Sequence, residues 1–386
     1  MTRMTRRTAT GCAGRLARLT LASALACAAI LAPATRARAQ TTLPDGLYAD
    51  IYTTKGLIRA RLEPELTPMT VAGFVGLAEG TIANAAFDLG RPFYDGTVFH
   101  RVVPGHVIQA GIPRSDRADG PGYAYPNEIH ARLSHDHAGA LGIANSGPHT
   151  NGSQFYITLG DRSYLDGDYT VFGNVVEGLD VVMRIVQGDV VDSVRIVRVG
   201  PAAEVFRPRT ATFRALVGAA VQRVAQDVER RRQAERAWVA SHWPDATGPE
   251  RGVRTVRLSA GAAVAPAGGP RRVRYRGTAL RYMEHRIGYD GPALAPMAFG
   301  SGAEGEPGWF DPPRVFPFAP GETTINPGLD RVIAAMKPGE RRVVIVPAEL
   351  AYGRSGLYAP EVPGVPRFVI PPNTMLVYEV EVLPNE

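Results

Sequence analysis

Glycine and proline interrupt this chain so often that most of it is unable to form long helices. Its 386 residues include 42 glycines and 32 prolines, about a fifth of the chain against roughly an eighth in average proteins. Between these interruptions lie short runs of the residues that are typical of β-strands. Hydrophobic residues make up 45% of the chain and charged residues 21%, as in proteins with a packed core. The pattern predicts a mainly β protein with few helices, closed or sandwiched.

The first 39 residues have the pattern of a secretory signal peptide. An arginine-rich start is followed by an apolar run over 19–34, and Ala37-Arg38-Ala39 forms a small-x-small cleavage pattern before Gln40. An uncleaved anchor is the alternative, but the run is shorter than the ~20 residues that span a bilayer. We therefore expect cleavage, no stable membrane insertion afterwards, and secretion, with the bacterial periplasm as the expected location. Arg6-Arg7 leaves twin-arginine export open beside the general secretory route.

Removal of this segment changes the charge and the cysteine content. It carries seven arginines and no acidic residue, so the formal net charge falls from +6 to −1 without it. A near-neutral chain gives no electrostatic case for nucleic-acid binding, which depends on neutralising phosphates. Both cysteines, Cys12 and Cys27, also lie here. The mature chain would then have no disulfide, thiol nucleophile or cysteine–zinc site.

The remaining sequence divides into three regions, 45–201, 202–250 and 252–386. The first is predicted to hold short strands, such as Gly56–Leu62, and two helices, over Thr67–Glu79 and Gly178–Ile185. In the second, Phe213, Val217 and Val221 begin an apolar stripe at helical spacing, which predicts an amphipathic helix within 205–243. We expect its stripe to cover this chain or a partner. The third region returns to β-like runs, such as Arg271–Tyr275, with a short helix over Leu329–Met336.

Three motifs in the first region carry a family resemblance. They are Phe99–Gly111, Leu141–Ile157 and Leu165–Asp180. In sequence and order they closely resemble the cyclophilin family of peptidyl-prolyl isomerases. The resemblance covers about 155 residues and implies a closed β-barrel that binds proline-containing unfolded or extended polypeptides.

The resemblance implies a role for each matching side chain. Arg101 corresponds to the catalytic arginine, and Gln109 to the glutamine beside it. The other matches are expected to bind the substrate or to form the proline pocket: His106, Val107, Ala144, Asn145, Gln154, Tyr156, Tyr164, Leu165 and Tyr169, with Phe172 completing the floor. Four of these depart from the family's usual residue, since His106 replaces Phe, Val107 Met, Tyr164 Trp and Tyr169 His. His106 would place a polar ring at the pocket rim.

No cofactor or metal is expected, because isomerisation moves neither electrons nor protons. The one candidate metal cluster is His130, His135 and His137 with Asp136. Histidine and aspartate do ligate metals, but this spacing matches no specific metal motif. A metal site here remains the minor alternative.

The third region resembles a second family, the FKBP-type isomerases. The resemblance rests on Lys337–Gly353 and Ile370–Leu383, with Arg272–Tyr275 and Pro327–Asp330 in family order. It implies an antiparallel sheet wrapped on one short helix over 252–386. The matching pocket positions are Tyr275, Phe310, Asp311, Phe316, Asn326, Leu329, Tyr352, Ile370 and Tyr378.

Two features of this region depart from the FKBP pattern. Leu329 replaces the tryptophan of the pocket floor, and 34 residues (276–309) separate Tyr275 from Phe310. Residues 354–369 also lengthen the loop that overhangs the pocket. The sequence thus predicts a peptidyl-prolyl cis-trans isomerase that acts on exported proteins. The alternative is a periplasmic chaperone or binding module whose C-terminal half holds extended segments without catalysing.

Overall fold

The computed structural model describes residues 43–249, 252–262, 271–282, 294–300, 316–319, 325–358, 368–370 and 372–384. The predicted signal segment lies outside these residues. Within 43–249, nine strands form one antiparallel sheet in the order β3-β9-β1-β2-β8-β6-β7-β5-β4. The strands are Gly46–Thr53 (β1), Gly56–Leu62 (β2), Thr97–Val98 (β3), Arg101–Val103 (β4), Val107–Ala110 (β5), Ala140–Ile143 (β6), Phe155–Thr158 (β7), Val171–Glu177 (β8) and Val190–Val199 (β9).

This sheet curls, which brings its two edge strands near each other. Its edge strands are β3 and β4, yet only residues 99 and 100 separate them in sequence. Two residues span no more than a few ångströms each, so the first and last strands of the sheet lie close together, as in a barrel. The predicted cyclophilin-type barrel is confirmed, and Arg101 stands at the seam where the edges approach.

The helix α1 (Pro68–Ala78) supplies the core of this first domain. All ten residues from Met69 to Ala78 are buried, and the Phe74 ring contacts those of Tyr94, Phe155 and Phe172. The helix was predicted with Thr67 and Pro68 at its start. Thr67 is the N-cap, but its side chain makes no cap bond. The Glu128 carboxylate instead accepts from the Met69 and Thr70 backbone N–H groups at 3.2 and 2.8 Å.

Three further helices follow, α2 (Leu179–Val182), α3 (Pro201–Glu204) and α4 (Thr210–His242). The 33 residues of α4 make a rod about 50 Å long. Its first turns join the N-terminal core through Phe213 and Ala220. Farther along the helix, Val221 of the predicted apolar stripe is 52% exposed in this chain. The middle of the helix, 221–230, has no buried residue, because neither core reaches it.

The C-terminal region forms a second antiparallel sheet, with a short helix α5 (Pro327–Ala335) against one face. The strand order is β10-β14-β17-β11-β12, with β13 paired to β11. The strands are Arg254–Ala260 (β10), Arg271–Tyr282 (β11), Leu294–Gly300 (β12), Phe316–Phe318 (β13), Glu340–Val346 (β14) and Leu376–Val382 (β17), while Leu357–Tyr358 (β15) and Phe368–Ile370 (β16) pair separately. The mainly β fold class predicted from the sequence is therefore confirmed in both regions.

The two faces of this second sheet are covered by different helices. Val344 and Tyr378 pack with Leu329 and Ile333 of α5, whereas Val343 and Val377 pack with Val239 of α4. The alternation follows from the two-residue period of a strand. The end of α4 is thus part of the packing of the C-terminal sheet as well as a connection to it.

Both inserted segments contain strands where the sequence suggested loops. Residues 276–282 continue β11, which pairs with β12 from Arg276–Gly300 to Tyr282–Leu294. Residues 357–358 and 368–370 form the β15–β16 pair. Within the described residues, no helix combines the length and apolar character needed to cross a bilayer.

Candidate active site

A row of three polar side chains, called the polar row below, begins with Arg101 at the barrel seam and continues through Gln109 to Gln154. Arg101 lies opposite Gln109 in the β4–β5 register, and its Nη1 donates to Gln109 Oε1 at 3.4 Å. Gln109 Nε2 in turn donates to Gln154 Oε1 at 2.9 Å. All three side chains are half-buried. The amides therefore hold a permanent cation in a fixed direction while leaving part of it open to a ligand.

An apolar cluster borders this row. It consists of Val107, Tyr156, Leu165 and Tyr169, with Ala144 packed against it. The Tyr156 and Tyr169 rings meet edge to face, with centroids 5.9 Å apart. Tyr156 lies opposite Gln109 in the β5–β7 register, so the apolar cluster and the polar row share one face of the sheet. A cation beside an apolar surface can bind a group that is apolar on one side and accepts a hydrogen bond on the other.

His106 and Tyr164 lie together at the rim of the site. Their rings stack with centroids 6.1 Å apart, and the Tyr164 hydroxyl is 3.3 Å from His106 Nδ1. Tyr164 is 38% exposed. The polar ring expected at the rim is therefore paired with another aromatic ring, and the two present a mixed surface to solvent.

The Asn145 side chain is used within the protein. Its Nδ2 donates to the Asp168 carbonyl at 3.1 Å, and its Oδ1 accepts from the Gly147 N–H at 3.2 Å. The adjacent Ala144 N–H donates to the Gln154 carbonyl at 2.8 Å. The side chain of Asn145 thus fixes the loop that carries it, and its backbone is the part placed beside the site.

His100, which adjoins Arg101, is a further residue of the site that was not predicted from the sequence. Burial lowers the pKa of His100, and the positive charge of Arg101 lowers it further, while hydrogen bonds to Val98 and Gln154 oppose the shift. A neutral imidazole beside Arg101 leaves the guanidinium as the positive charge of the row. Its position inside the Phe99–Gly111 motif was the signal that could have pointed to it.

The three histidines considered as metal ligands have different partners. His135 contacts Asp166 and Tyr156, while His137 contacts Asp136 and Asn174. The His130 Nδ1 accepts from the Arg132 N–H at 3.2 Å. Across the part of the chain that the structure describes, no group of three or more His, Cys, Asp or Glu residues could hold a metal ion.

The C-terminal candidate pocket gathers most of its predicted residues. Leu329, Ile370 and Tyr378 are buried in one cluster, with Tyr275 and Tyr352 partly buried against it. The Tyr275 and Tyr378 rings meet with centroids 5.7 Å apart at 70°. Phe310 and Asp311 lie outside the described residues, and for Phe316 the structure describes the backbone, which pairs with Val273.

Asn326 connects the start of α5 to this pocket. Its Oδ1 accepts from the Leu329 N–H at 3.0 Å, which caps the helix, and its Nδ2 donates to the Tyr378 hydroxyl at 2.7 Å. Asp330, a buried residue not predicted as part of the pocket, lies in the same helix turn, where its Oδ1 accepts from the Ile325 N–H at 3.3 Å. Burial raises the pKa of Tyr275 to about 12, and the charges of Tyr352 and Asp330 add to the rise.

Comparison with known proteins assigns both regions. Residues 48–201 match the model of the cyclophilin type peptidyl-prolyl cis-trans isomerases, and residues 310–383 match that of the FKBP-type peptidyl-prolyl cis-trans isomerases. The probable peptidyl-prolyl cis-trans isomerase A of Mycobacterium leprae is 45% identical over 133 residues, which are 33% of this chain and 73% of that protein.

Two further relatives match the same region. Peptidyl-prolyl cis-trans isomerase B of Streptomyces anulatus is 42% identical over 137 residues, covering 34% of this chain and 78% of that protein. Peptidyl-prolyl cis-trans isomerase ppi1 of Schizosaccharomyces pombe is 41% identical over 138 residues, covering 35% and 82%. The chain therefore belongs to the cyclophilin-type peptidyl-prolyl cis-trans isomerases and carries, in addition, a C-terminal domain of the FKBP type.

Proposed function

We propose that this isomerase accelerates X–Pro isomerisation in exported polypeptides as they fold, with Arg101 as the catalytic donor. Rotation of the amide has a barrier of about 18–20 kcal/mol because the C–N bond is conjugated. A catalyst lowers it by binding the twisted amide better than either planar isomer. In the twisted state the proline nitrogen becomes pyramidal and accepts a hydrogen bond, so a positioned donor stabilises that state alone.

The observation that carries this proposal is the contact between Arg101 and Gln109 beside the apolar cluster. The 3.4 Å bond from Arg101 Nη1 to Gln109 Oε1 directs the guanidinium along the face that also holds Tyr156. The apolar cluster receives the proline ring, and the guanidinium of Arg101 donates a hydrogen bond to the proline nitrogen. Removing water from the amide also weakens its polar planar form, which favours rotation.

The experiment separates the two domains within the full chain. Arg101→Ala removes the donor of the first site, Tyr352→Ala removes an aromatic wall of the second, and the double variant removes both. Isomer exchange of an X–Pro peptide is followed by a proteolysis-free method such as exchange NMR. Arg101→Ala should lower the cyclophilin-type rate about hundredfold, as loss of one transition-state donor does elsewhere.

Arg132→Ala, an exposed arginine of the same domain, is the matched control and should leave the rate unchanged. A rate above about half of wild type in Arg101→Ala, well short of the tenfold that 1.36 kcal/mol represents, would contradict the assignment of Arg101. Activity that is lost to a chelator and restored by zinc would contradict the metal-free mechanism.

Export to the bacterial periplasm is part of the same proposal and rests on the signal-like sequence. There, uncatalysed proline isomerisation takes tens to hundreds of seconds and can limit folding. Mass spectrometry of the exported protein should find Gln40 at its N-terminus. A cell-associated chain that retains residues 1–39 would contradict cleavage.

For the C-terminal domain we propose that it mainly holds extended segments. Leu329 is fully buried at the position where the family's tryptophan would form the pocket floor. An aromatic side chain there would bury about 150–250 Å², so leucine should hold the proline ring less firmly. Suppression of aggregation of an unfolded protein by the Arg101→Ala chain, abolished by adding Tyr352→Ala, would support this role. A turnover rate equal to that of the first site with no such suppression would overturn it.

A further inference from the structure

One cross-strand row of the first domain contains more than the donor and its glutamine. Arg101 pairs with Gln109, Gln109 with Tyr156, and Tyr156 with Gly142, in the registers of four neighbouring strands, β4, β5, β7 and β6. Directly opposite residues of antiparallel strands point to the same face. The position of the Tyr156 ring is therefore next to that of Gln109 and two strands from the guanidinium.

Tyr156 is held at both ends of its side chain. Its ring lies over Gly142, where an added Cβ would stand 2.4 Å from Cζ and 2.5 Å from the hydroxyl oxygen. Glycine leaves that space open. Beyond it the hydroxyl reaches His135 Nε2 at 2.7 Å, and the two rings stack with centroids 5.9 Å apart. His135 is fully buried, with 0% of its surface exposed.

Asp166 determines which His135 nitrogen carries the proton. Its Oδ1 accepts from the His135 backbone N–H at 2.9 Å and lies 2.6 Å from Nδ1. A carboxylate accepts only, so Nδ1 donates to it, and Nε2 is the ring atom that meets the Tyr156 hydroxyl. Whenever the ring is uncharged, Nε2 is an acceptor and the Tyr156 hydroxyl donates to it. The polar end of Tyr156 is thus bound within the protein.

His135 also holds the opposite side of the pocket. The Arg162 N–H donates to the His135 carbonyl at 2.6 Å, and Asp166 directly follows Leu165. Tyr164 and Leu165 thus lie in a short segment that is attached to His135 at both ends, while Tyr156 is attached through its hydroxyl. One buried residue links the two walls between which the apolar cluster forms.

We infer that His135 is a positioning residue for proline binding, acting through its contacts with Tyr156 and Asp166. The inference rests on the proposed function, in which the apolar cluster receives the proline ring. Because these contacts hold the walls and touch neither the amide nor Arg101, they support the planar isomers and the twisted state equally. Their loss should raise KM and leave kcat nearly unchanged, since uniform binding affects KM alone.

The test uses the full chain and paired variants. Tyr156→Phe removes one buried hydrogen bond and should raise KM for an X–Pro peptide roughly fivefold, the equivalent of one ordinary bond, with kcat within about twofold. Tyr48→Phe is the matched control, because Tyr48 is equally buried and its hydroxyl donates to the Pro44 carbonyl at 2.8 Å. It should lower thermal stability similarly and leave KM unchanged.

His135→Asn tests the same contact from the other side. The asparagine Nδ2 can replace Nδ1 as donor to Asp166 but is too short to reach Tyr156, so KM should rise as in Tyr156→Phe. Combining the two should add nothing further, since both remove one contact. Nitrogen-15 NMR of the imidazole should also show the His135 Nε2 resonance moving in Tyr156→Phe.

Two outcomes would overturn the inference. In the first, both variants lose stability as Tyr48→Phe does but keep the wild-type KM, so that His135 is only structural. In the second, KM rises additively in the double variant, so that the two residues act separately. Measuring Arg101→Ala in parallel distinguishes failure of the positioning role from failure of the proposed function. If Arg101→Ala lowers kcat while the His135 and Tyr156 variants keep the wild-type KM, only the positioning role of His135 is rejected.

Discussion

The two candidate sites differ in the charge that stands beside their apolar side chains. In the first domain it is the positive guanidinium of Arg101, directed by Gln109. In the second, within the described residues, it is the carboxylate of Asp330. Burial raises the pKa of Tyr352 and the charge of Asp330 raises it further, which places this negative charge near the pocket. On the mechanism proposed above, the first site offers a side-chain donor to the twisted amide nitrogen, whereas the charge beside the second site is an acceptor.

The sites also differ in the structure that supports them. The first lies on a barrel whose core is filled by its own helix α1, and α4 adds its first turns to that core. The second lies on a sheet whose outer face is covered by the end of α4, where Trp238 and Trp243 pack beside Val239. This comparison indicates that damage to α4 should affect the second site more than the first.

The largest expected effect concerns Glu235, which is 1% exposed at the contact between α4 and the C-terminal sheet. The Glu235 Oε1 accepts a hydrogen bond from the Met375 backbone N–H at 3.1 Å. Burial raises the pKa of Glu235 to about 7, although Met375, Arg231 and Arg232 oppose the rise. In the unfolded chain the ordinary pKa is about 4.3.

A raised folded-state pKa means that the protonated form is the stabilising one. The contribution is complete below about pH 4.3 and is lost as the pH rises through about 7, with a total of about 4 kcal/mol. We expect the C-terminal domain to be less stable at pH 8 than at pH 5, and Glu235→Gln to remove this dependence. All three tryptophans lie at or beyond residue 238, so tryptophan fluorescence during urea unfolding reports this domain selectively.

Glu229→Gln, an exposed position of the same helix, is the matched control and should leave the pH dependence intact. The isomerase rate assigned to Arg101 should not follow the change. If stability is equally pH-dependent in Glu235→Gln, the carboxyl is not the titrating group and the special dependence of the second domain on this contact is rejected.

The elements that the sequence predicted well are those whose contacts are local. The strand Gly56–Leu62 was predicted with the bounds of β2, and the helix Thr67–Glu79 coincides with α1 and its caps. For these two elements, the turn glycines and the Thr67-Pro68 start are sufficient to predict the bounds. The predicted strand Arg271–Tyr275 was too short, because its continuation to Tyr282 depends on pairing with β12. That partner contains Pro296, which a strand tolerates at a sheet edge but which hides the strand in the sequence.

The residues of the first candidate site were also predicted well only where the signal was local in sequence. Arg101 and Gln109 were found because a motif carries them together, and the fold places them opposite each other. His135 was considered only as a metal ligand, because its partners are 21 and 31 residues away. Glu235 was not singled out, because a charged residue in an amphipathic helix is expected to be exposed. Contacts between distant segments are what the pattern could not supply.

The next expected effect concerns the row that Tyr156 and Gly142 share in the first domain. Gly142→Ala places a methyl group 2.4 Å from Tyr156 Cζ, so the ring must leave its position beside Gln109. We expect the first site's kcat/KM to fall tenfold or more, while the tryptophan-reported stability of the second domain stays constant. Gly120→Ala, where an added Cβ meets nothing within 4 Å, is the control and should keep its rate. An unchanged rate in Gly142→Ala would mean that the row does not position the site.

The smallest expected effect tests the second site through Asn326, whose contact with the Tyr378 hydroxyl parallels that of His135 with Tyr156 in the first. Asn326→Ala removes the α5 cap, at a cost of about 1 kcal/mol, together with the bond from Nδ2 to the Tyr378 hydroxyl. Tryptophan fluorescence in urea should show the C-terminal domain destabilised by roughly 1–2 kcal/mol, with the Arg101-dependent rate unchanged. Asn326→Ser keeps a capping oxygen but is too short to reach Tyr378, so it should lose only part of that stability. It should nevertheless weaken binding of extended segments as much as the alanine does, because both variants lose the hydrogen bond from Asn326 to the Tyr378 hydroxyl. Undiminished binding in both variants, with the smaller stability loss in Asn326→Ser, would show that Asn326 serves the helix cap and not the tyrosine pocket.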